Sequence, residues 1–334
     1  MHALQWGLGQ ILELSGYYWK TCTLHAGVKL DVFTAIGEEK LAAADTARKL
    51  GVDQRALAML LDALTAMGLL SKSEDGRYSN TPESLDFLSK ESPRYIGFMI
   101  MHHHHLVDSW SQLDKAVRTG RPVRGRAAID EGERRESFLM GMFNLAMSIA
   151  PGLAKSVDLS GRRHFLDLGG GPGTYAIQFC LNNPQMRGTV YDLPTTRPFA
   201  EKTIAGFGLS DRIDFMDGDY LKEDIKGSYD VVWLSQILHG EGFEECRMIV
   251  KKAVAALEPG GLIMVHEFIL DNTMDHPLFP ALFSLNMLLG TDRGQSYSEA
   301  QISDMLADAG ACEIRRLPFR GPNDSGIIAA TAGH

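Results

Sequence analysis

The sequence is short of several things, and each shortage excludes a class. Four cysteines occur in 334 residues. Cys22, Cys180, Cys246 and Cys312 lie too far apart for a metal-ligand motif or a dense disulfide framework. They read as reduced thiols. No charged-then-apolar leader opens the chain, so a cytoplasmic protein is expected. No apolar run reads as long enough to span a bilayer, so no membrane partner is expected either. Neither low-complexity tracts nor internal repeats are visible. Positive charge is in deficit: 33 Lys and Arg against 42 Asp and Glu give a formal net charge of −9. That argues against a general affinity for nucleic acid. What is present is ordinary globular composition, 45% hydrophobic and 22% charged. The length suits two domains, or one large domain with an appendage.

The most informative stretch runs from His164 to Pro194, HFLDLGGGPGTYAIQFCLNNPQMRGTVYDLP. His164–Leu168 is a short apolar strand, and Gly169–Gly173 cannot continue it. Thr174–Asn182 has helical spacing, Gly188–Tyr191 is a second strand, and Asp192 stands at its end. This is one βαβ half of a nucleotide-binding sheet. Glycines there let backbone approach a ligand closely, because no Cβ intrudes. Asp192, about 20 residues past the turn, is placed to accept hydrogen bonds from ribose hydroxyls. Gly171, Gly173 and Ala176 fit G-x-G-x-x-A, so an NAD-dependent oxidoreductase is a rival reading. Against it, Asp167 precedes the glycines by two residues and would repel a pyrophosphate. A carboxylate there suits an ammonium or sulfonium ligand instead, and S-adenosylmethionine carries both charges and no phosphate.

The first hundred residues are built differently. Leu8 to Ile36 is largely helical in pattern, with an aromatic patch at Tyr17, Tyr18 and Trp19. Leu41 to Leu70 reads as a helix, a turn at Gly51–Asp53, and a second helix with its apolar face at Leu57, Leu60, Leu61 and Leu64. Asp75–Gly76 then marks a hairpin between Leu69–Ser71 and Arg77–Asn80. Two helices and a hairpin make a winged helix. Its second helix offers Arg55 followed by Ala, Leu, Met and Asp, which suits burial rather than a DNA groove. The expected use is a protein–protein surface whose partner is a second copy of the chain. A catalytically silent, cofactor-binding regulator is the non-enzyme alternative.

The middle of the chain supplies candidate acceptor contacts. Tyr95 to Val117 reads as a helix carrying His102–His105 and Trp110. Of the four histidines, His102 and His105 share a helical face. Without H-E-x-x-H or a similar partner motif no metal is expected; His105 and Trp110 are instead expected to line a pocket. Gly120–Gly132 reads as a loop. Glu136 to Val157 resumes helix, with Phe138, Met142, Phe143 and Met147 near one stripe, a pliable wall for aromatic rings. Leu278–Leu289 is strongly apolar, and Phe279, Phe283, Asn286 and Met287 are its candidate contacts.

The remaining motifs carry the chemistry. The strand Ile213–Met216 leads to Asp217–Gly218–Asp219–Tyr220, where Asp219 is placed to accept adenine's amine and Tyr220 to cover the ring. Tyr229–Ser235 is a strand followed by His239. A helix over Glu244–Leu257 is ended by Pro259–Gly260–Gly261, and the strand Leu262–Phe268 contains Glu267. His239 and Glu267 thus lie at the ligand-facing ends of neighbouring strand candidates. A carboxylate beside a histidine fixes its tautomer, which suits a general base for a phenol-like hydroxyl. Ser298–Gly310 reads as helix, and Glu313–Leu317 and Ser325–Thr331 as closing strands.

The order LDLGGGPG, YDLP, DGDY, ILHGEGFEEC and LEPGGLIMVHEF resembles the S-adenosylmethionine-dependent O-methyltransferases of the plant, bacterial and acetylserotonin-methylating group. The N-terminal winged helix is similar to that family's dimerisation domain. The resemblance implies an α/β fold, a Rossmann-like seven-stranded class I methyltransferase sheet with an all-α/winged-helix N-terminal domain. It implies a dimerisation domain over 1–95, a helical linker and acceptor-pocket wall over 96–158, and a catalytic domain over 159–334. It further implies a homodimer, with S-adenosylhomocysteine as product, while aromatic and methionine content favours a small, flat aromatic or polyketide-like acceptor. Gly169, Gly171, Asp192, Asp219 and Tyr220 would hold the cofactor, with Asp167 and Ser235 beside it; Ser235 stands where the family often has lysine. His239 would be the base and Glu267 its orienting carboxylate. Gly240 replaces the family's common aspartate after that histidine, and Ser296 lies where a further glutamate is usual.

Overall fold

The computed structural model describes residues 6–126 and 132–333. The chain divides into two compact units, Met1–Leu106 and Val107–His334.

In the first unit α1 (Leu8–Gly16), α2 (Tyr18–Lys29) and α3 (Val32–Ile36) occupy the stretch expected to be helical. Then follow α4 (Ala43–Leu50), α5 (Gln54–Ala66) and the antiparallel pair β1 (Leu70–Lys72) and β2 (Tyr78–Asn80). This is the helix–helix–hairpin order read from the sequence. Asp53 starts α5 by accepting the Ala56 N–H at 2.8 Å, satisfying one of the amides a helix start leaves unpaired. α6 (Pro82–Leu88) follows, and α7 (Gly97–Trp110) runs through the unit's last residue, Leu106. Val32, Phe33, Leu57, Leu61 and Leu64 form its core. α1 buries none of its residues: Leu8, Ile11, Leu12 and Leu14 all face out, as do Trp6, Tyr18 and Trp19.

The helix expected over Tyr95–Val117 is two helices. The Gln112 N–H turns to the Ser109 carbonyl at 3.0 Å, and α8 (Leu113–Thr119) starts afresh. α9 (Gly132–Ser156) follows. By length and composition alone α9 can cross a membrane, which corrects the expectation that no stretch could. In the fold it is a packing helix that buries Ala150, Leu153 and Ala154 in a core shared with the sheet.

The sheet unit then alternates β3 (His164–Leu168), α10 (Thr174–Asn182), β4 (Arg187–Asp192), α11 (Arg197–Gly206), β5 (Ile213–Asp217), β6 (Tyr229–Ser235), α12 (Phe243–Ala255), β7 (Leu257–Phe268), α13 (Leu278–Gly290), α14 (Glu299–Asp308), β8 (Ala311–Arg316) and β9 (Ser325–Ala332). Pro259–Gly261 does not end a helix, as expected, but lies inside a longer β7 whose register against β6 shifts between Tyr229 and Val231. The seven strands are ordered β5-β4-β3-β6-β7-β9-β8. β5, β4, β3, β6 and β7 are parallel, and β9 enters antiparallel between β7 and β8. Helices cover both faces, so the parallel strands read as nearly continuous apolar runs. Ile249, Val250, Ile302 and Met305 pack one face; Leu153, Ile177, Phe179 and Ile204 pack the other. Strand order reverses between β3 and β6, and the carboxyl ends of strands at such a switch point form the ligand-binding crevice of open α/β sheets.

Candidate active site

The glycine turn after β3 is held at that crevice through its own backbone amides. Gly169 N–H donates to the Tyr191 carbonyl at 2.8 Å, and Gly171 N–H to Asp192 Oδ2 at 2.8 Å. Gly169 has φ +68°, and a Cβ there would come within 2.6 Å of Ile237 Cγ2 and 3.5 Å of the Tyr220 ring. Gly171, at φ +54°, faces open space. A turn with positive φ and no side chains leaves room for a ligand against backbone. Asp192, at the end of β4, also accepts from Leu193 N at 2.7 Å and from Thr196 Oγ1 at 3.0 Å. Burial raises its pKa, with these hydrogen bonds pulling the other way. A carboxylate offers about four lone-pair sites, so Asp192 keeps capacity for a sugar hydroxyl.

Asp219 and Tyr220 follow β5 in the same crevice. Burial disfavours the Asp219 carboxylate, but Lys222 at 2.8 Å and the Leu221 N–H at 3.0 Å outweigh it and hold its pKa low. Asp219 is therefore an ionised acceptor. Burial pushes the Tyr220 hydroxyl strongly up, keeping it neutral.

Two further residues expected at the cofactor have partners within the protein. Asp167 is 1% exposed, beneath the glycine turn. Its Oδ2 accepts the Ala176 N–H at 3.1 Å in the first turn of α10, and a Cβ on Gly170 would lie 2.6 Å from its Cγ. Burial lifts its pKa to about 7. Asp167 thus shapes the turn from below through Oδ2, while its buried Oδ1 has no hydrogen-bond partner. Ser235 Oγ lies 2.9 Å from His266 Nδ1. That imidazole is buried against Trp233, which lowers its pKa to about 4.

The structure brings His239 and Glu267 together. His239 sits on a short 3-10 turn (Leu238–Gly240) after β6, and Glu267 lies near the end of β7, the adjacent parallel strand. His239 Nδ1 is 2.7 Å from Glu267 Oε2, and Glu267 Oε1 accepts the Leu238 N–H at 2.8 Å. The carboxylate is 2% exposed and fully engaged by one turn. The imidazole meets Phe283 edge-on at a 4.8 Å centroid distance and lies parallel to Phe268 at 6.2 Å. Phe279 closes the aromatic group against Phe268 at 4.9 Å.

The other acceptor candidates scatter. Phe283 is at the histidine, while Asn286, on the same helix, binds Arg124 Nη2 through both its backbone and side-chain oxygens at 3.2 Å. Met287 is buried. Met142 and Phe143 are half-buried on α9, and Met147 Sδ accepts from Gln178 on α10. Trp110 is half-buried at the end of α7. His105 belongs to the first unit, with its ring 5.7 Å from His104. Among the described residues no group of three His, Cys, Asp or Glu side chains is arranged for a metal.

The sequence reading missed the arginines of the α8–α9 loop. Arg126 grips Glu241 with two hydrogen bonds, and Arg124 holds α13. The available signal is three arginines, Arg121, Arg124 and Arg126, in one glycine-bearing stretch, which names no partner.

Comparison with known proteins identifies the family. A family model described as the O-methyltransferase domain matches residues 110–311, and one described as the O-methyltransferase dimerisation domain matches residues 12–90. The chain is 37% identical to the 3-hydroxy-5-methyl-1-naphthoate 3-O-methyltransferase of Streptomyces sahachiroi, over 96% of this chain and 94% of that one. It is 29% identical to the tetracenomycin polyketide synthesis 8-O-methyl transferase TcmO of Streptomyces glaucescens, over 96% of each. The solved structure of PigF with SAH, 26% identical, superposes with a TM-score of 0.90 and covers 98% of this chain and 100% of that one. The NAD reading falls with these matches. An open glycine turn flanked by the acceptors Asp192 and Asp219 fits an adenosyl cofactor without phosphate. The chain belongs to the S-adenosylmethionine-dependent O-methyltransferase family, with a catalytic domain preceded by the family's dimerisation domain.

Proposed function

We propose that this enzyme methylates a hydroxyl of a flat aromatic, polyketide-type acceptor, with His239 as general base. The observation that carries the reading is the 2.7 Å contact between His239 Nδ1 and Glu267, set among Phe268, Phe279 and Phe283. A carboxylate only accepts, so it retains the imidazole proton on Nδ1 and leaves the Nε2 lone pair for the acceptor's hydroxyl proton. The three phenylalanines supply a water-poor wall that packs against a planar ring. The naphthoate and tetracenomycin relatives act on acceptors of that character by their names.

S-adenosylmethionine supplies the methyl group. Gly169, Gly171, Asp192, Asp219 and Tyr220 would hold it, with Asp192 on the ribose and Asp219 and Tyr220 at the adenine. Most of the acceleration then comes from fixing acceptor and donor in line, and His239 adds a factor of about 100–10,000.

The exposed apolar strip of α1 and the start of α2, residues Leu8, Leu12, Tyr18 and Trp19 among them, is the surface proposed for homodimerisation. The test of the catalytic reading is turnover of hydroxynaphthoates and simpler phenols with labelled S-adenosylmethionine, compared between wild type and His239→Ala. Methyl transfer to ring oxygen in wild type, lost in the variant, is expected. Equal turnover in both removes His239 from the reaction.

A further inference from the structure

We infer that Arg126 and Glu241 are positioning residues, a clamp that holds the turn carrying His239 in register with Glu267. This rests on the proposal that His239 is the base.

Glu241 immediately follows that turn, and its side chain is 5% exposed. A carboxylate withdrawn that far from water needs a partner. Arg126 provides it in fork geometry: Nη1 donates to Oε1 at 2.6 Å and Nη2 to Oε2 at 2.9 Å. Nη2 also donates to the Gly240 carbonyl at 3.0 Å, so one guanidinium grips backbone and side chain at neighbouring residues. A lysine, with a single ammonium centre, cannot reproduce that grip.

The clamp is tied to its surroundings on both sides. The Glu241 carbonyl accepts from Tyr297 Oη at 2.6 Å, and the Glu241 N–H donates to Leu238 O at 3.0 Å. Beyond Arg126, the loop donates Val123 N–H and Arg124 N–H to the Leu289 carbonyl of α13 at 3.0 and 3.2 Å. That helix carries Phe283 against His239. Arg126 therefore connects the histidine turn to the acceptor-side helix through one short loop. The segment after α13 presses on the same turn: a Cβ on Gly294 would collide with the His239 carbonyl oxygen and lie 2.6 Å from Thr291 Oγ1. The turn is thereby constrained from several directions, and the Arg126–Glu241 pair is the constraint that reaches it from the loop. Both act through the turn that carries His239.

The test uses the full chain saturated with S-adenosylhomocysteine and the charge-balanced variant Arg126→Gln/Glu241→Gln. Long-range 1H–15N spectra of the histidine rings report which nitrogen carries the proton, with His239 assigned from its absence in His239→Ala. Wild type is expected to show the proton on Nδ1. The double variant is expected to show a mixture of tautomers, with kcat down about tenfold and KM for S-adenosylmethionine within twofold. Arg126→Lys, which retains the charge, is expected to fall between the two and serves if the double variant does not fold. In a His239→Ala background the same two substitutions are expected to cost nothing further. A single tautomer with wild-type kcat overturns the clamp, as does an undiminished tenfold loss in the His239→Ala background. If His239→Ala itself turns over normally, the base assignment fails, while the tautomer comparison still reports on the clamp.

Discussion

The two units solve opposite problems. In the first, charge is cheap and apolar surface is left over. Its ion pairs, such as Lys72–Asp62, lie in water, where a pair contributes little, while α1 turns a row of leucines outward. In the second, apolar surface is covered on both faces of the sheet and charge is what needs a partner. Glu267 and Glu241 are 3% and 5% exposed at their side chains, and each is matched, one by His239 and the other by Arg126. A surplus of apolar area calls for another protein surface; a surplus of buried charge calls for a specific, correctly aimed side chain. The proposed assembly surface lies in the first unit and the proposed chemistry in the second.

That contrast can be broken most severely at His239. His239→Ala is expected to lower kcat by about 100–10,000-fold while S-adenosylhomocysteine affinity, read by calorimetry, stays within about twofold. Loss of both together would mean that the histidine serves binding.

The cost of burying a titratable ring is next. His266 has its pKa lowered to about 4 by burial, so the unfolded chain binds its proton more readily. Its contribution is fully present above pH 6.5 and is lost as pH falls toward 4, about 3 kcal/mol in total. Asp167, raised to about 7, slopes the opposite way, since the folded chain retains its proton between pH 3.8 and 7. The difference between wild type and His266→Asn in urea unfolding at pH 7 and pH 4.5 isolates the histidine. Equal acid losses in both proteins would refute the assignment.

Asp192→Ala removes an acceptor from the glycine crevice. It is expected to weaken S-adenosylhomocysteine binding by about 10–100-fold, with kcat at saturating donor much less affected. A fall in kcat at unchanged affinity would point to a role in chemistry.

The smallest effect is expected at the apolar strip. Leu12→Ser should raise the dimer dissociation constant by about tenfold, seen by light scattering over a dilution series, and leave the far-ultraviolet circular dichroism unchanged. Stable dimers at every dilution would move the interface elsewhere.

What could be read from the sequence follows the range of the forces involved. The β3–turn–α10–β4 unit, the helix–helix–hairpin and the approach of Glu267 to His239 were all legible. Each depends on local periodicity, on glycine, or on two residues ending neighbouring parallel strands. Asp167 is legible as a residue of β3 just before the glycines, but its burial beneath the turn is not, because spacing fixes a position along the chain and not the direction in which a side chain is buried. Ser235 was placed at the right strand end, but its partner His266 is on another strand. The pairing of Arg126 with Glu241, 115 positions apart, is not legible: an arginine in a loop announces a charge but not its complement. The apolarity of α9 escaped notice because charged residues at its ends interrupt the run.

The position of β9 has a consequence for how the chain is made. β7 finds its neighbour on that side only in β9, and β8, synthesised earlier, has no place in the sheet until β9 enters between them. While the ribosome is still adding the segment after residue 316, the strand that bears Glu267 has one bare flank, the kind of edge that recruits other nascent chains. A stop before Ser325 would therefore leave a sticky product with Glu267 on an unfinished border, whereas an equally small trim at α1 would spare the sheet entirely.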